Sequence, residues 1–258
     1  MQSGKNKKPY MDGKFETVKF AHRREDFYAG IERMFEMGYK QTDFLHYFPA
    51  FVGKMTLWKA LTLYEFYKKT QGVCGHIAEV GVHMGPSSIL FAKLVDLFEP
   101  EALTMVHGFD WFKGTKSGKE DVLINDNLDA ESEERVQELV RIQKLDHILK
   151  IHNLDVTKEM DNFFEEHPHL RFKIAYLDSG TYPVVSAAIK AFWPRMVPGG
   201  IMIFDQFNNE VSPGETRAVS ELLPDYKIET IPGSWFPNAY VVKPFIGQDH
   251  DTPEKTTS

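Results

Sequence analysis

The chain has 258 residues, 42% hydrophobic and 26% charged, with a single cysteine and a formal net charge of −7. This length suits one large domain, and the acidic balance argues against a nucleic-acid groove, which needs a surplus of Lys and Arg to displace counterions from phosphates. Cys74 alone forms no intrachain disulfide and is compatible with a cytoplasmic setting, and no apolar run approaches the roughly 18 residues of a membrane helix.

The first segment, "MQSGKNKKPYMDGK", is basic with no apolar stretch behind it. It reads as part of a mobile tail over residues 1–22 rather than a secretory signal. Residues 23–72 read as an N-terminal helical cap. "REDFYAGIERMFEMG" carries apolar residues at helical spacing and closes on Gly38. "GKMTLWKALTLYEFYKKTQG" does the same, with Met55, Leu57, Trp58, Leu61, Tyr64 and Phe66 forming a broad apolar face that Gly72 stops. Between them lies the aromatic stretch "FLHYFPAF", Phe44 to Phe51. It is expected in the core, with the wall of a substrate pocket as the alternative.

From Gly75 a strand and helix alternation begins. The strand "HIAEVGV" is followed by the helix "PSSILFAKLVDLF", with Pro86 suited to its first turn. "LTMVHGFD" is a second strand, and Trp111 to Ser132 is a long polar loop before the helix "ERVQELVRIQKL". Then come "HILKIHNLD", "KEMDNFFEEH", "FKIAYLD", "PVVSAAIKAFWPRM", "GGIMIFDQF" and "GETRAVSELL", alternating strand and helix. "YKIETIPGSWFPNAYVVKP" has no helix and reads as an antiparallel pair of strands. Such a run implies a mostly parallel, doubly wound α/β sheet over residues 73–244. A polar tail is expected over 245–258.

Ligands of open α/β sheets bind beyond the carboxyl ends of the strands. There stand Glu79, Asp110, Asp155, Asp178 and Asp205, one acid after each of five strands. Acids are poor strand residues. Five carboxylates at one edge repel one another unless cations or hydrogen-bond donors lie among them. For any one of them a solvated rim is the plainer reading; for the set it is not.

The first strand runs into "EVGVHMG". Gly81 would let backbone approach a ligand, and Gly85 would let the loop turn into the helix. The stretch is neither G-x-G-x-x-G nor a Walker loop, so phosphate cradling is disfavoured. With Asp110 placed to accept from ribose hydroxyls, the arrangement suits either NAD or S-adenosylmethionine.

The order and spacing of Glu79–Gly85, "GFDWFKG", "AYLDSGTYPVVSAAIKAFWPRMVPGGIMIFDQF", "GETRAV" and "AYVVKP" resemble the class I S-adenosylmethionine-dependent methyltransferases. More narrowly they resemble the macrocin O-methyltransferase family, over roughly Lys54 to Pro244. The resemblance implies a Rossmann-like, seven-stranded sheet whose last strand is antiparallel. It also implies S-adenosyl-L-methionine as cofactor, and methylation of a hydroxyl on a sugar, sugar nucleotide or glycosylated small molecule. The family's habit of association implies a homo-oligomer. Carried over residue by residue, Gly81 and Gly85 lie against the methionine part of the cofactor and Glu79 helps hold its ammonium. Asp110 takes the ribose, and Asp155 with Val156 lies near the adenine. Ser87, Trp111 and Asp178 complete the cofactor contacts. Asp178 and Asp205 match two acids that hold a divalent metal, Mg²⁺, beside the substrate hydroxyl, with Gln206 as the neighbouring ligand.

Two departures bear on this carry-over. The family reads D-G-D-x-Y where this chain has Asp178, Ser179, Gly180, Thr181 and Tyr182, so the second acid, a general base, is absent. It also often reads D-D where this chain has Asp205 and Gln206, which substitutes a neutral amide oxygen for a carboxylate. The base must then come from elsewhere. His83 in the glycine loop is the first candidate, ahead of His46 in the aromatic stretch and His107, which is expected inside its strand. Tyr182 and Gln206 are expected to line the acceptor pocket, or simply to pack or cap. Arg217 reads as a solvated helix start, with an anionic group of the acceptor as the alternative. The competing functions are an NAD-dependent oxidoreductase and a non-catalytic cofactor-binding homologue.

Overall fold

The computed structural model of the protein describes residues 23–121 and 130–245. The tail expected over 1–22 lies outside the described residues, as do that expected over 245–258, apart from residue 245, and part of the polar loop, 122–129. Four helices come first: α1 (Arg24–Glu36), α2 (Gln41–His46), α3 (Phe48–Phe51) and α4 (Lys54–Lys69). The aromatic stretch makes up α2 and α3 and is not core. Neither helix buries a residue, and Leu45, Tyr47 and Phe48 are exposed. Helices of six and four residues, with Pro49 in the first turn of the second, are too short to lay an apolar stripe on a sheet. Their rings pack on one another instead, Phe44 against Phe51 at 4.6 Å and Tyr39 against Phe51 at 5.0 Å between centroids.

α4 behaves differently. Thr62, Leu63, Phe66 and Tyr67 form one face at spacings of three and four, and all are buried. Leu63, Phe66 and Tyr67 join Ile77, Phe91, Ile174 and Tyr240 in one cluster, so α4 covers a sheet face beside α5.

The sheet comprises β1 (His76–Val80), β2 (Val106–Asp110), β3 (Leu149–Asn153), β4 (Phe172–Leu177), β5 (Met196–Phe204) and β6 (Ala239–Val242). Its order is β3-β2-β1-β4-β5-β6, all parallel except β6, which runs antiparallel to β5. The helices α5 (Pro86–Phe98), α6 (Glu133–Ile142), α7 (Val156–Glu166), α8 (Tyr182–Phe192) and α9 (Pro213–Leu222) connect and cover it. Alternation along each strand splits the core. Ala78, Ala175, Leu177, Met202 and Phe204 face α7, α8 and α9, whereas Ile77, Ile174, Tyr176, Ile201 and Ile203 face α4 and α5. Because both faces are covered, β4 is buried at all six positions. Each fully buried large apolar side chain contributes roughly 1.5–3 kcal/mol.

The sheet has six strands among the described residues, not seven. The first arm of the expected hairpin is reduced to one antiparallel bridge, Glu229 with Tyr240, made by two backbone bonds of 2.8 and 2.9 Å. Pro232, which lacks an amide donor, and Gly233 at φ +79° follow and bend the chain away from a longer ladder. No helix among the described residues is long and apolar enough to cross a membrane.

Candidate active site

Strand order reverses between β1 and β4, so the loops after them diverge and leave a crevice. A cavity of about 390 Å³ fills it. Its wall includes Gly81, His83, Asp110, Trp111, Asp155, Val156, Asp178 and Gln206 from the expected set. Glu79, Gly85, Ser87, Tyr182 and Asp205 are not part of that wall.

The five strand-end carboxyls are each accommodated differently. Glu79 is 1% exposed, and the Ser88 hydroxyl donates to it. Burial, and after it the charge of Asp178, pushes its pKa up to about 8, so at neutral pH it is mostly a neutral acid beneath the glycine loop. Asp110 accepts from the backbone N–H of His83 at 2.9 Å and of Phe112 at 2.7 Å. Both donors sit in left-handed backbone, so the carboxylate pins two strained loops to the end of β2.

Asp155 N-caps α7, accepting from the Thr157 amide at 3.0 Å. It also accepts from Lys116 Nζ at 2.8 and 3.1 Å. Burial alone would raise its pKa, but the bonds from Lys116 and Thr157 outweigh burial and hold it below the usual range. The Lys116 ammonium lies 5.2 Å from the centre of the Trp111 ring, and the Trp111 indole N–H donates to the Gly114 carbonyl. Asp121, 1% exposed, secures this loop to the start of α8 by accepting from Gly118 N at 2.8 Å and Tyr182 N at 3.0 Å.

Asp178 and Asp205 share one ammonium. Lys59 Nζ, from α4, is 2.9 Å from Asp178 Oδ2 and 3.3 Å from Asp205 Oδ1. The Tyr176 hydroxyl donates to Asp205, and burial holds that phenol well above its ordinary pKa and hence protonated. This arrangement does not fit a divalent metal. Gln206 does not complete a ligand set, since its amide oxygen accepts from the Ser212 hydroxyl and its backbone N–H donates to Glu215 Oε1 at 2.6 Å. Among the described residues no group of three His, Cys, Asp or Glu could hold a metal ion. The expected ligand set of Asp178, Asp205 and Gln206 is therefore replaced by an ion-pair cluster.

Gly81 is also placed for another reason than expected. At φ +94° its Cβ would lie 2.2 Å from the Asp178 carbonyl oxygen, so what needs the glycine is neighbouring backbone. Gly85, at φ +81°, caps α5 against Val136 and Ile89, and Ser87 is 2% exposed in the first turn. Tyr182 is not brought to the cavity. Its hydroxyl donates to Glu221 at 2.6 Å, and the Arg217 guanidinium lies over its ring. Arg217 itself pairs with Glu120 and Glu221, and so latches α9 to the loop after β2. His107 is buried in β2 as expected, and His46 is exposed on α2.

A family model described as a methyltransferase domain matches residues 78–207, from β1 to just past β5. The chain belongs to the methyltransferase domain family. It is an S-adenosylmethionine-dependent methyltransferase, which displaces the NAD-dependent alternative. Solved structures share the methyltransferase's fold. That of CalS11, a calicheamicin methyltransferase, superimposes with a TM-score of 0.74 at 23% identity, over 83% of this chain and 91% of that one. The apo structure of CalS11, described as a TDP-rhamnose 3'-O-methyltransferase, gives 0.68 at 22% over 83% and 93%. The O-methyltransferase NovP gives 0.62 at 18% over 73% and 81%. No curated protein matches the chain significantly.

Lys59, Lys116, Tyr176 and Glu215 are the site residues that sequence reading missed. Lys59 lies 119 positions before Asp178 and outside the matched segment. A signal was present, because Lys59 precedes Thr62, Leu63, Phe66 and Tyr67 at the spacing of the buried face of α4. A lysine on a core-facing stripe needs a carboxylate partner.

Proposed function

We propose that this methyltransferase carries a methyl group from S-adenosylmethionine to a hydroxyl oxygen of a sugar, sugar nucleotide or glycosylated small molecule. Two cavities sharing two walls support this reading. Lys59 lines the first cavity and Trp58, the preceding residue of α4, lines the second. The loop after β5 contributes Gln206 and Ser212 to the first and Asn208 to Glu210 to the second. The second cavity, about 1310 Å³, presents the rings of Trp58 and Trp235 together with Asn209 and Asn238. Aromatic faces beside amides suit the apolar and hydroxylated sides of a sugar. Trp58 Nε1 and Asn238 Oδ1 are buried and find no hydrogen-bond partner among the described residues. An acceptor hydroxyl would satisfy such atoms.

S-adenosylmethionine supplies an electrophilic sulfonium methyl; the S–C bond breaks, an O–C bond forms, and the hydroxyl proton leaves. In this reading Asp110 accepts from the ribose hydroxyls through lone pairs its two amide bonds leave over. Trp111, Lys116, Asp155 and Val156 enclose the adenine end, and Gly81 and Ser179 flank the methionine end. Glu79, Gly85 and Ser87 shape the loop from behind. Asp178 accepts the proton rather than His83, because His83 is anchored on Asp110 at the β2 side of the crevice, while Asp178 pairs with Lys59, the chain neighbour of Trp58 in the second cavity. Two carboxylates and one ammonium leave a formal charge of −1 next to a cationic methyl donor, which favours its binding.

The test is a thermal melt with S-adenosylhomocysteine, with NAD as control, followed by mass spectrometry of methyl transfer to thymidine-diphosphate sugars and to catechols. A hundredfold excess over Kd adds about 2.7 kcal/mol, expected here as a rise of roughly 5–11 °C. NAD should give none. A mass gain on a sugar is expected; a gain on catechol alone would sink the acceptor class.

A further inference from the structure

A divalent cation and the Lys59 ammonium compete for one place. Mg²⁺ needs oxygen ligands at about 2.0–2.1 Å in octahedral geometry. A cation bound to Asp178 Oδ2 and Asp205 Oδ1 would fall on the ammonium that already lies 2.9 and 3.3 Å from those two atoms. The side chain is held from three directions. The buried turns of α4 fix its backbone, the Tyr176 ring lies 5.6 Å from its ammonium, and the phenol of that tyrosine donates to the same Asp205. Asp205 is 1% exposed, so removing the ammonium would leave a carboxylate in a nearly dry site.

The two sequence departures belong to the same arrangement. Gly180 is at φ +67°, and a Cβ there would lie 2.5 Å from Gln206 Oε1 and 2.9 Å from Ser212 Oγ. The amide of Gln206 thus occupies the space that a side chain at 180 would need. The carboxylate base at 180 and the carboxylate at 206 are lost together, and an ammonium stands where the cation would be held.

We propose that Lys59 is the resident cation of the transfer site, a positioning residue that sets Asp178 and Asp205 and makes methyl transfer independent of divalent metal. This rests on Asp178 standing at the transfer point. The experiment uses the full chain and reads Mn²⁺ binding by electron paramagnetic resonance, with S-adenosylhomocysteine affinity by calorimetry and methyl transfer to TDP-rhamnose as the probe acceptor. Wild type is expected to show no Mn²⁺ site that Asp178→Asn removes, and unchanged turnover in EDTA. Lys59→Met, which keeps the stem and removes the charge, should lose turnover at least 50-fold with S-adenosylhomocysteine affinity within about threefold, and Lys59→Arg should recover part of it. One Mn²⁺ bound by wild type and lost in Asp178→Asn would overturn the proposal, as would full turnover in Lys59→Met. Since Mn²⁺ binding needs no acceptor, failure of the sugar reading would show separately, as S-adenosylhomocysteine binding without transfer to TDP-rhamnose.

Discussion

The Cβ that Gly81 lacks would lie 2.2 Å from the carbonyl oxygen of Asp178. β1 and β4 are neighbours, and their chains leave the sheet at this point, Gly81 at φ +94°. Gly81→Ala must therefore push the two strand ends apart. We expect a loss of about 2–3 kcal/mol from backbone strain and displacement, read as a fall in Tm of roughly 4–12 °C. S-adenosylhomocysteine affinity should fall with it, since both strand ends line the cavity.

Asp110 holds the amides of His83 and Phe112 with its two oxygens. Charged hydrogen bonds are worth about 1.5–3 kcal/mol. Asp110→Ala should weaken S-adenosylhomocysteine binding by roughly 10- to 150-fold in calorimetry, and Asp110→Asn by less, since one oxygen acceptor remains. Unchanged affinity in Asp110→Ala would remove it from the cofactor site.

Asp178→Asn keeps the shape of the side chain and removes its charge. Turnover should fall at least a hundredfold, about 2.7 kcal/mol of barrier, while S-adenosylhomocysteine affinity stays within a few-fold. Parallel loss of both would make Asp178 a binding or folding residue instead.

Restoring the family's acid at position 180 should fail by itself. Gly180→Asp places a side chain at φ +67° and against Gln206, and should cost about 1–3 kcal/mol. Gly180→Asp with Gln206→Ala should recover part of this, because the Gln206 contact is relieved while the backbone strain remains. A double-mutant cycle on urea midpoints measures the coupling; strict additivity would mean the two positions do not share space.

Stability should depend on acid through His107 and His152. Their ring nitrogens are 3.0 Å apart and the rings stack with Phe109. Burial comes first and neighbouring His residues second in holding His107 at about 3, and burial with His167 holds His152 at about 4, against an ordinary 6.5. A folded pKa below the unfolded one means that the unfolded chain binds more protons. Stability from these rings is thus complete above about pH 6.5 and lost as pH falls toward 4 and then 3. With two such rings the slope approaches about 2.7 kcal/mol per pH unit between those limits. Melts from pH 8 to 4.5 should show it, and His107→Phe with His152→Phe should flatten the curve.

Short apolar strand runs, helix starts such as Pro86 and stops such as Gly38 were legible because they are local. They placed all five parallel strands and the carboxyls at their ends, and the crowding of those carboxyls announced a need for cations. That the expected seventh strand is reduced to a single bridge was not legible. Glu229 and Tyr240 pair once, and whether a ladder continues depends on where Pro232 and Gly233 send the chain.

Sequence by itself determined the doubly wound sheet, the edge at which the site lies, and part of the cavity wall, since strand and helix alternation and strand-end acids are properties of neighbouring residues. Only tertiary structure decided that Lys59 stands between Asp178 and Asp205, that Gly180 makes room for Gln206, and that Tyr182 turns to Glu221. Each of these is a contact between elements far apart in the chain, fixed by how α4 and the loops pack on the sheet, and no local pattern encodes which cation meets which carboxylate.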